Sequence, residues 1–227
     1  IGGAGDIALQ DAGTVTIVPT PTGFLVSDPF GTGLSLYEYT PGGAASHLQT
    51  IPDTVTTFAE GVVDAVTVSV GSRTFLIAAG QGADQLSAGI TCWQLSASGI
   101  ASHADSFGVS EGLGMTTPTT IDTVELGGTD YVIVGSAGGN SGALSVFRVT
   151  SVGNLEPVDH VMDTLFTRFG AVQCLDIVEH DGVAYIAAAG GDLGLSLLML
   201  LPDGRLVHLE SMEDSVEAGL GGVRSLT

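Results

Sequence analysis

Short runs of alternating apolar and polar residues, separated by glycine-containing turns, cover most of the chain. Four pairs of such runs flank the turn glycines Gly43, Gly99, Gly153 and Gly204, which lie 56, 54 and 51 residues apart. Alternation with a period of two is typical of strands with one buried face, and a glycine turn between two such runs predicts a β-hairpin. The helical period of 3.6 residues is nearly absent, and only 214–220 is compatible with a short helical turn.

A second hairpin precedes each of these. The segments 65–80, 120–136 and 174–190 turn at Gly71, Gly127 and Gly182, and the segment 15–28 is the matching hairpin at the start. Four strands in each repeat predict an all-β fold, a β-propeller of four-stranded antiparallel blades. The predicted parts are a glycine-rich linker or closing strand at 1–13, four blades at 14–51, 65–107, 120–161 and 174–212, and the start of a further blade at 221–227. We therefore expect about four complete blades of a truncated propeller.

Large side chains recur at one position of the third strand in each repeat: Tyr37, Trp93, Phe147 and Leu198. Repetition at one position predicts packing between neighbouring blades rather than a ligand-stacking role for Trp93.

The charge of the chain restricts its partners. There are 25 Asp and Glu residues against five Arg and no Lys, which gives a net charge of −20. Such a surface repels phosphate backbones, so we predict no nucleic-acid binding. The longest unbroken apolar run, 197–201, is far shorter than the ~20 residues of a membrane-spanning helix, so we predict no membrane span.

The third and fourth strands of one repeat read LSVFRV and then Gly-Asn-Leu, at 144–149 and 153–155. With the scarcity of Lys and Cys, the abundant Gly and the acidity, this pattern resembles the propeller regions of large secreted hemolysin-type (RTX) calcium-binding proteins. The resemblance implies a secreted, extracellular protein and calcium binding through stacked glycine-rich nonapeptide repeats. The segment 2–7, GGAGDI, has its aspartate one position early for such a repeat, so we interpret it as a linker.

The histidines and cysteines do not predict a shared site. His47, His103 and His208 occupy the same position, four residues after the turn glycine, on the fourth strands of three blades. Because outermost strands diverge from one another, these rings are not expected to meet at one metal or substrate. Cys92 and Cys174 fall on different strands two blades apart, so we predict two free thiols.

The carboxylates are the candidate site residues. Asp28, Asp84, Asn140 and Asp192 recur between the second and third strands, Asp53, Asp163 and Asp214 follow the fourth strands, and Asp122 and Asp176 are equivalent on first strands that line the channel. Oxygen-rich rings suit calcium, although Asp beside Gly or Thr is also ordinary turn chemistry, the interpretation that we favour. If a calcium site exists, we expect weak binding by Asp84, Asp122, Asp176 or Asp192.

Two functions remain open from the sequence. Near the predicted axis there is no histidine or lysine to activate a nucleophile, and no G-x-S-x-G turn occurs in a strand–turn–helix setting. We therefore predict a non-catalytic interaction or adhesion propeller with an unknown protein or glycan partner, in a secreted calcium-binding protein. The alternative is a calcium-dependent, lactonase-like propeller hydrolase.

Overall fold

The chain is described here from a computed structural model that covers residues 16–27, 31–40, 42–83, 87–111, 113–138, 141–217, 219–220 and 222–226. The described residues form sixteen strands and one short 3-10 turn, Val109–Glu111. The strands are β1 (Thr16–Thr20), β2 (Gly23–Ser27), β3 (Gly33–Tyr39), β4 (Ala45–Pro52), β5 (Val62–Val70), β6 (Arg73–Gly80), β7 (Gly89–Leu95), β8 (Ala101–Gly108), β9 (Pro118–Leu126), β10 (Thr129–Ser136), β11 (Ala143–Val149), β12 (Leu155–Met162), β13 (Cys174–His180), β14 (Val183–Ala189), β15 (Gly194–Leu200) and β16 (Leu206–Glu213).

These strands make four antiparallel sheets, each a meander of four consecutive strands. The predicted fold class, an all-β propeller of four-stranded blades, is confirmed. The sheets span 16–52, 62–108, 118–162 and 174–213, and their first strands β1, β5, β9 and β13 lie beside one another around the axis.

The predicted linker or closing strand at 1–13 lies outside the described residues. Residues 222–226 form no strand, and the Cys174 thiol donates a hydrogen bond to the Val223 carbonyl, with Sγ and O 3.8 Å apart. The start of a further blade at 221–227 therefore stays a prediction. Among the described residues there is no helix with the length and apolar character needed to cross a membrane.

The hydrophobic core is divided into three clusters, one between each pair of neighbouring blades. Trp93 is 2% exposed in the cluster between the first and second blades, so its predicted packing role is confirmed. Phe147 and Leu198 occupy the same position in the next two clusters. Because every core lies between two blades, each blade is stabilised mainly by its neighbours.

The fourth strand of each of the four blades carries a β-bulge at the same position. The register shifts between Leu36 and Tyr37, Cys92 and Trp93, Val146 and Phe147, and Leu197 and Leu198 of the third strands. The residues left without a direct partner in the fourth strands are Leu48, Ala104, Val158 and Leu209. A bulge changes the alternation of side chains after it, so the residue that follows is redirected toward the next blade.

Candidate functional site

Three carboxylates lie on successive first strands at the axis: Asp64 on β5, Asp122 on β9 and Asp176 on β13. We call them the inner-strand carboxylates. They are close enough for Asp64 and Asp176 both to raise the pKa of Asp122 electrostatically. The structure thus brings together Asp122 and Asp176, the predicted channel residues, and adds Asp64, which sequence reasoning missed.

Asp64 links two blades. Its Oδ2 accepts hydrogen bonds from the Ile121 backbone N–H (2.9 Å) and the Thr120 hydroxyl (3.2 Å) on β9, while Oδ1 accepts from the Ala65 N–H (2.9 Å). Burial nevertheless raises the pKa of Asp64, against the effect of these donors. Asp64 stands two residues before the position that Asp122 and Asp176 share, so a search for carboxylates repeated at one position does not find it.

Asp122 has nearly the same surroundings one blade further on. Its Oδ1 accepts from the Thr123 N–H at 2.7 Å, and the Ile177 N–H of β13 also donates to this carboxylate. Burial is the main cause that raises the pKa of Asp122, and the neighbouring Asp176 and Asp64 add to it. A raised pKa is the ordinary requirement for a carboxyl group that acts as a general acid.

The predicted residues at the turns between second and third strands are only partly described. Asp28, Asp84 and Asn140 lie outside the described residues. Asp192 lies beside Asp163, because a Cβ placed on Gly170 would be 3.2 Å from Asp163 Oδ2 and 3.3 Å from Asp192 Cγ. Burial and the Asp163 charge raise the pKa of Asp192, whose Oδ1 is buried without a hydrogen-bond partner.

The aspartates that follow the fourth strands stabilise turns. Asp53 Oδ1 accepts from the Ala59 N–H at 2.8 Å, and Asp163 Oδ1 accepts from the Thr167 hydroxyl at 2.7 Å and the Phe169 N–H at 3.3 Å. The threonine after each aspartate is held by the threonine three residues later, through backbone N–H to hydroxyl bonds of 2.9 and 2.7 Å. The turn interpretation of Asp53 and Asp163 is therefore confirmed.

A set of residues missed at the sequence level repeats the Asp64 geometry on the outer strands. Asp105 Oδ2 accepts from the Leu155 N–H at 2.8 Å, and Asp159 Oδ2 accepts from the Leu206 N–H at 2.7 Å. In the first blade Gln49 takes this role and exchanges two bonds with the Ala101 backbone, of 2.8 and 3.0 Å. All three stand six residues after the turn glycine, a spacing that was visible in the sequence.

The histidines do not meet, as predicted. Nε2 of His47, His103 and His208 lies 2.8, 2.9 and 2.8 Å from the hydroxyl oxygens of Thr50, Ser106 and Ser211, each on the histidine's own strand. His160 Nδ1 lies 2.9 Å from the Ser145 hydroxyl, and burial lowers its pKa. Each of these four hydrogen bonds lies within one blade. Ser106 also donates to the Thr56 carbonyl, in the segment between the first and second blades, at 2.8 Å.

Both cysteines are free and buried, which confirms that prediction. Burial, with a contribution from the Asp105 charge, raises the pKa of Cys92 to about 12. Burial also raises the pKa of Cys174. A thiol with a raised pKa is a poor nucleophile at neutral pH, so neither is a candidate catalytic cysteine.

The surroundings of these carboxylates indicate how well each of them suits a calcium ion. In the part of the chain that the structure describes, no three His, Cys, Asp or Glu side chains come together in a way that would hold a metal ion. The oxygens of Asp64 and of Asp122 are engaged by N–H donors, whereas calcium takes six to eight oxygen ligands. The free Asp192 oxygen, beside Asp163, is the described group that fits a cation best. Calcium binding stays a prediction, and no chemical step below depends on it.

No protein-family model and no curated protein sequence matches the chain. Solved structures do. A protein from Lactobacillus plantarum aligns with a TM-score of 0.60 and 13% identity over 84% of this chain and 54% of its own. A functionally unknown protein from Desulfotomaculum acetoxidans aligns with a TM-score of 0.58 and 14% identity, over 91% and 59%. An endo-arabinase from Bacteroides thetaiotaomicron aligns with a TM-score of 0.53 and 9% identity, over 88% and 80%.

The chain spans 54% and 59% of the length of the first two of these structures. At such low identity the similarity concerns the fold and not the activity. Together with the four meander sheets, it identifies the chain as a β-propeller.

Proposed function

We propose that the chain is a carbohydrate-binding propeller in which the inner-strand carboxylates catalyse the hydrolysis of a glycosidic bond. The observation that carries the proposal is the clustering of Asp64, Asp122 and Asp176, in which burial and two neighbouring carboxylates raise the pKa of Asp122. Carboxyl groups whose environments favour different protonation states are the usual equipment of such enzymes. The fold of the Bacteroides endo-arabinase, which this chain resembles at 9% identity, agrees with that choice of substrate class.

The carboxyl groups of Asp122 and Asp176 have complementary roles in the reaction. Protonated Asp122 gives its proton to the glycosidic oxygen as the bond from that oxygen to the anomeric carbon breaks. Asp176 accepts a proton from the water whose oxygen bonds the anomeric carbon, so two sugar hydroxyl groups are formed and the proton count is balanced. The Ile177 backbone N–H of the next blade donates a hydrogen bond to Asp122 and holds this carboxyl group in place. Asp64 supports the acid form of Asp122 by its charge.

The second candidate is the non-catalytic interaction domain expected from the sequence. One observation favours it: Asp64 accepts an N–H from the next blade just as Asp105 and Asp159 do on the outer strands. This accounts for the carboxylates as blade-to-blade links without any reaction. Membership of the hemolysin-type proteins, secretion and calcium binding belong to this candidate and stay predictions.

Substitutions of the two kinds of aspartate separate the candidates. The purified chain is incubated with aryl glycosides and dye-linked polysaccharides, arabinans among them, and released product is measured. For a hydrolase we expect Asp122→Asn and Asp176→Asn each to lower the rate by about 10²-fold or more, since each removes a proton-transfer group. Asp159→Asn is the matched control, because it weakens a blade-to-blade bond far from the axis.

The non-catalytic candidate predicts a different result. The wild-type chain then releases no product from any substrate of the panel, while binding to an immobilised glycan is equal for wild type, Asp122→Asn and Asp176→Asn. Equal activity of Asp122→Asn, Asp176→Asn and Asp159→Asn would also contradict the hydrolase proposal.

A further inference from the structure

The third blade carries a cavity that belongs to none of the sites described above. Its volume is about 310 Å³, and it lies between the segment that leads into β9 and the outer strands β11 and β12. The lining residues that matter for its chemistry are Leu113, Gly114, Ser141, Ala143, His160 and Met162. The second and fourth blades flank the third on both sides, so the ends of the chain take no part in this cavity.

The cavity exists because a side chain present beside the second blade is missing beside the third. In the segments before β5, β9 and β13, one equivalent position is occupied by Phe58, Gly114 and Arg168, each six residues ahead of equivalent strand residues. The Phe58 ring lies on the backbone of the second blade: a Cβ on Gly89 would be 2.6 Å from Phe58 Cδ2, and one on Gly108 would overlap the ring. Gly114 has no side chain, so the same place beside the third blade is a cavity.

The floor of the cavity corresponds to the two glycines under the Phe58 ring. Gly89 and Gly108 pair with each other across β7 and β8, and Ala143 and Met162 pair at the same place across β11 and β12. Both Ala143 and Met162 line the cavity. A flat six-membered ring therefore has the shape that this fold already accommodates at the equivalent place, and a methionine thioether makes favourable contacts with aromatic rings.

His160 supplies a polar group to the cavity. It stands where Ser106 and Ser211 stand in the second and fourth blades, opposite the hydroxyl residue of the third strand. Its Nδ1 lies 2.9 Å from the hydroxyl oxygen of the fully buried Ser145, which fixes the ring, and its Nε2 makes no hydrogen bond among the described residues. Burial lowers the pKa of His160, so the ring is predominantly neutral at neutral pH and Nε2 can pair with a hydroxyl group.

The lining selects a neutral ligand with a single polar group. Among the described residues that line the cavity there is no Arg, Lys, Asp or Glu, so a carboxylate or an ammonium group would lose its hydration without gaining a partner. The Ser136 hydroxyl donates to the Ala143 carbonyl at 3.5 Å, which leaves His160 and Ser141 as the polar side chains that face a ligand. Two such groups match one hydroxyl group better than the several hydroxyl groups of a sugar.

We propose that this cavity binds a phenol, with the aromatic ring over Ala143 and Met162 and the hydroxyl group at Nε2 of His160. The walls are preformed, because a Cβ on Gly138 would overlap the Thr116 hydroxyl and one on Gly142 would overlap the Phe169 carbonyl oxygen. Both wall segments thus pack tightly on their neighbours. The phenol is either a free small molecule or the side chain of a tyrosine.

NMR titration of the purified chain with phenol, followed at the His160 ring resonances, tests the proposal. We expect saturation with a dissociation constant on the order of 1 mM, as suits a ligand of about seven non-hydrogen atoms. Cyclohexanol lacks the flat ring and benzoate carries a charge, so both are expected to bind about tenfold more weakly or worse. N-acetyl-tyrosinamide separates the two sources: tighter binding than phenol assigns a tyrosine side chain, and weaker binding assigns a free phenol.

His160→Ser is the most informative variant, because serine is the residue at this position in the second and fourth blades. It is expected to weaken phenol binding about tenfold, since the hydrogen-bond partner is lost. Ser141→Trp is expected to abolish binding by filling the cavity, and circular dichroism verifies that both variants are folded. His208→Ser, at an exposed histidine of the fourth blade, is the control and retains wild-type affinity.

Several results would overturn the proposal. They are the absence of saturation with phenol, binding of cyclohexanol or L-arabinose as tight as that of phenol, phenol affinity unchanged in His160→Ser, and an equal loss of affinity in His208→Ser. Hydrolysis of glycosides plays no part in these measurements. Their outcome is therefore independent of the activity proposed for the inner-strand carboxylates.

Discussion

The Asp105 carboxylate of the second blade accepts a hydrogen bond from the Leu155 backbone N–H of the third, with Oδ2 and N 2.8 Å apart. A partly buried N–H that loses its acceptor costs about 1–3 kcal/mol. We therefore expect Asp105→Ala to lower the free energy of unfolding by about that amount, measured by denaturant titration. Glu217→Ala, at an exposed acidic residue outside any blade interface, is the control and should leave the midpoint unchanged. An equal change in the free energy of unfolding for both variants would show that the lost negative charge, and not the lost hydrogen bond, causes the effect.

Substitutions of the turn glycines Gly43 and Gly204 separate the free-energy cost of backbone strain from that of overpacking. Gly204 and Gly43 have nearly the same positive φ, +86° and +84°, but a Cβ on Gly204 would lie 2.5 Å from Val158 Cγ1, while one on Gly43 meets nothing. Gly43→Ala is expected to cost about 1 kcal/mol from conformation alone, and Gly204→Ala a further 1–3 kcal/mol or so from overpacking. Thermal or denaturant unfolding of each variant measures both costs. Equal costs would contradict the packing of this turn on the third blade.

Stability is expected to rise as the pH falls from neutral into the acidic range. The pKa of Asp122 and of Asp64 is raised in the folded chain, so the folded state binds protons more tightly than the unfolded state there. That contribution is fully present below the ordinary Asp pKa of about 4 and is lost as the pH rises through the raised values. The measurement is Tm against pH for wild type and Asp122→Asn.

Asp122→Asn removes one of these titrations and should flatten the curve. Reduced repulsion among the remaining acidic groups acts in the same direction in both proteins, so the difference between the two curves isolates Asp122. Glu217→Gln serves as the comparison and should follow the wild-type slope. Parallel curves for wild type and Asp122→Asn would rule out the raised pKa.

The thiols are expected to be protected in the folded chain. With a pKa of about 12, Cys92 has a thiolate fraction of about 10⁻⁴ at pH 8, and its side chain is buried. Ellman's reagent should therefore find no fast-reacting thiol in the native protein and two after denaturation without reductant. A rapid native reaction that Cys92→Ala abolishes would show that the interface between the second and third blades is open.

The strand pattern was predictable because it is local. Alternation over a few residues and a glycine at each hairpin turn are conditions on one short segment, and they placed Trp93 and Phe147 between blades before any contact was known. The same local rule identified Asp53 and Asp163 as turn residues, since an aspartate beside a threonine bonds to backbone only a few residues away.

The tertiary structure decided which carboxylates meet which backbone groups. Asp64 and Ile121 are separated by 57 residues, and Asp105 and Leu155 by 50, so no local pattern relates them. A bulge at Ala104 redirects Asp105 toward the next blade, and a shift of two residues sets Asp64 apart from the position of Asp122. Alternation determines the face of each strand, whereas the partner on that face exists only once two blades have packed together.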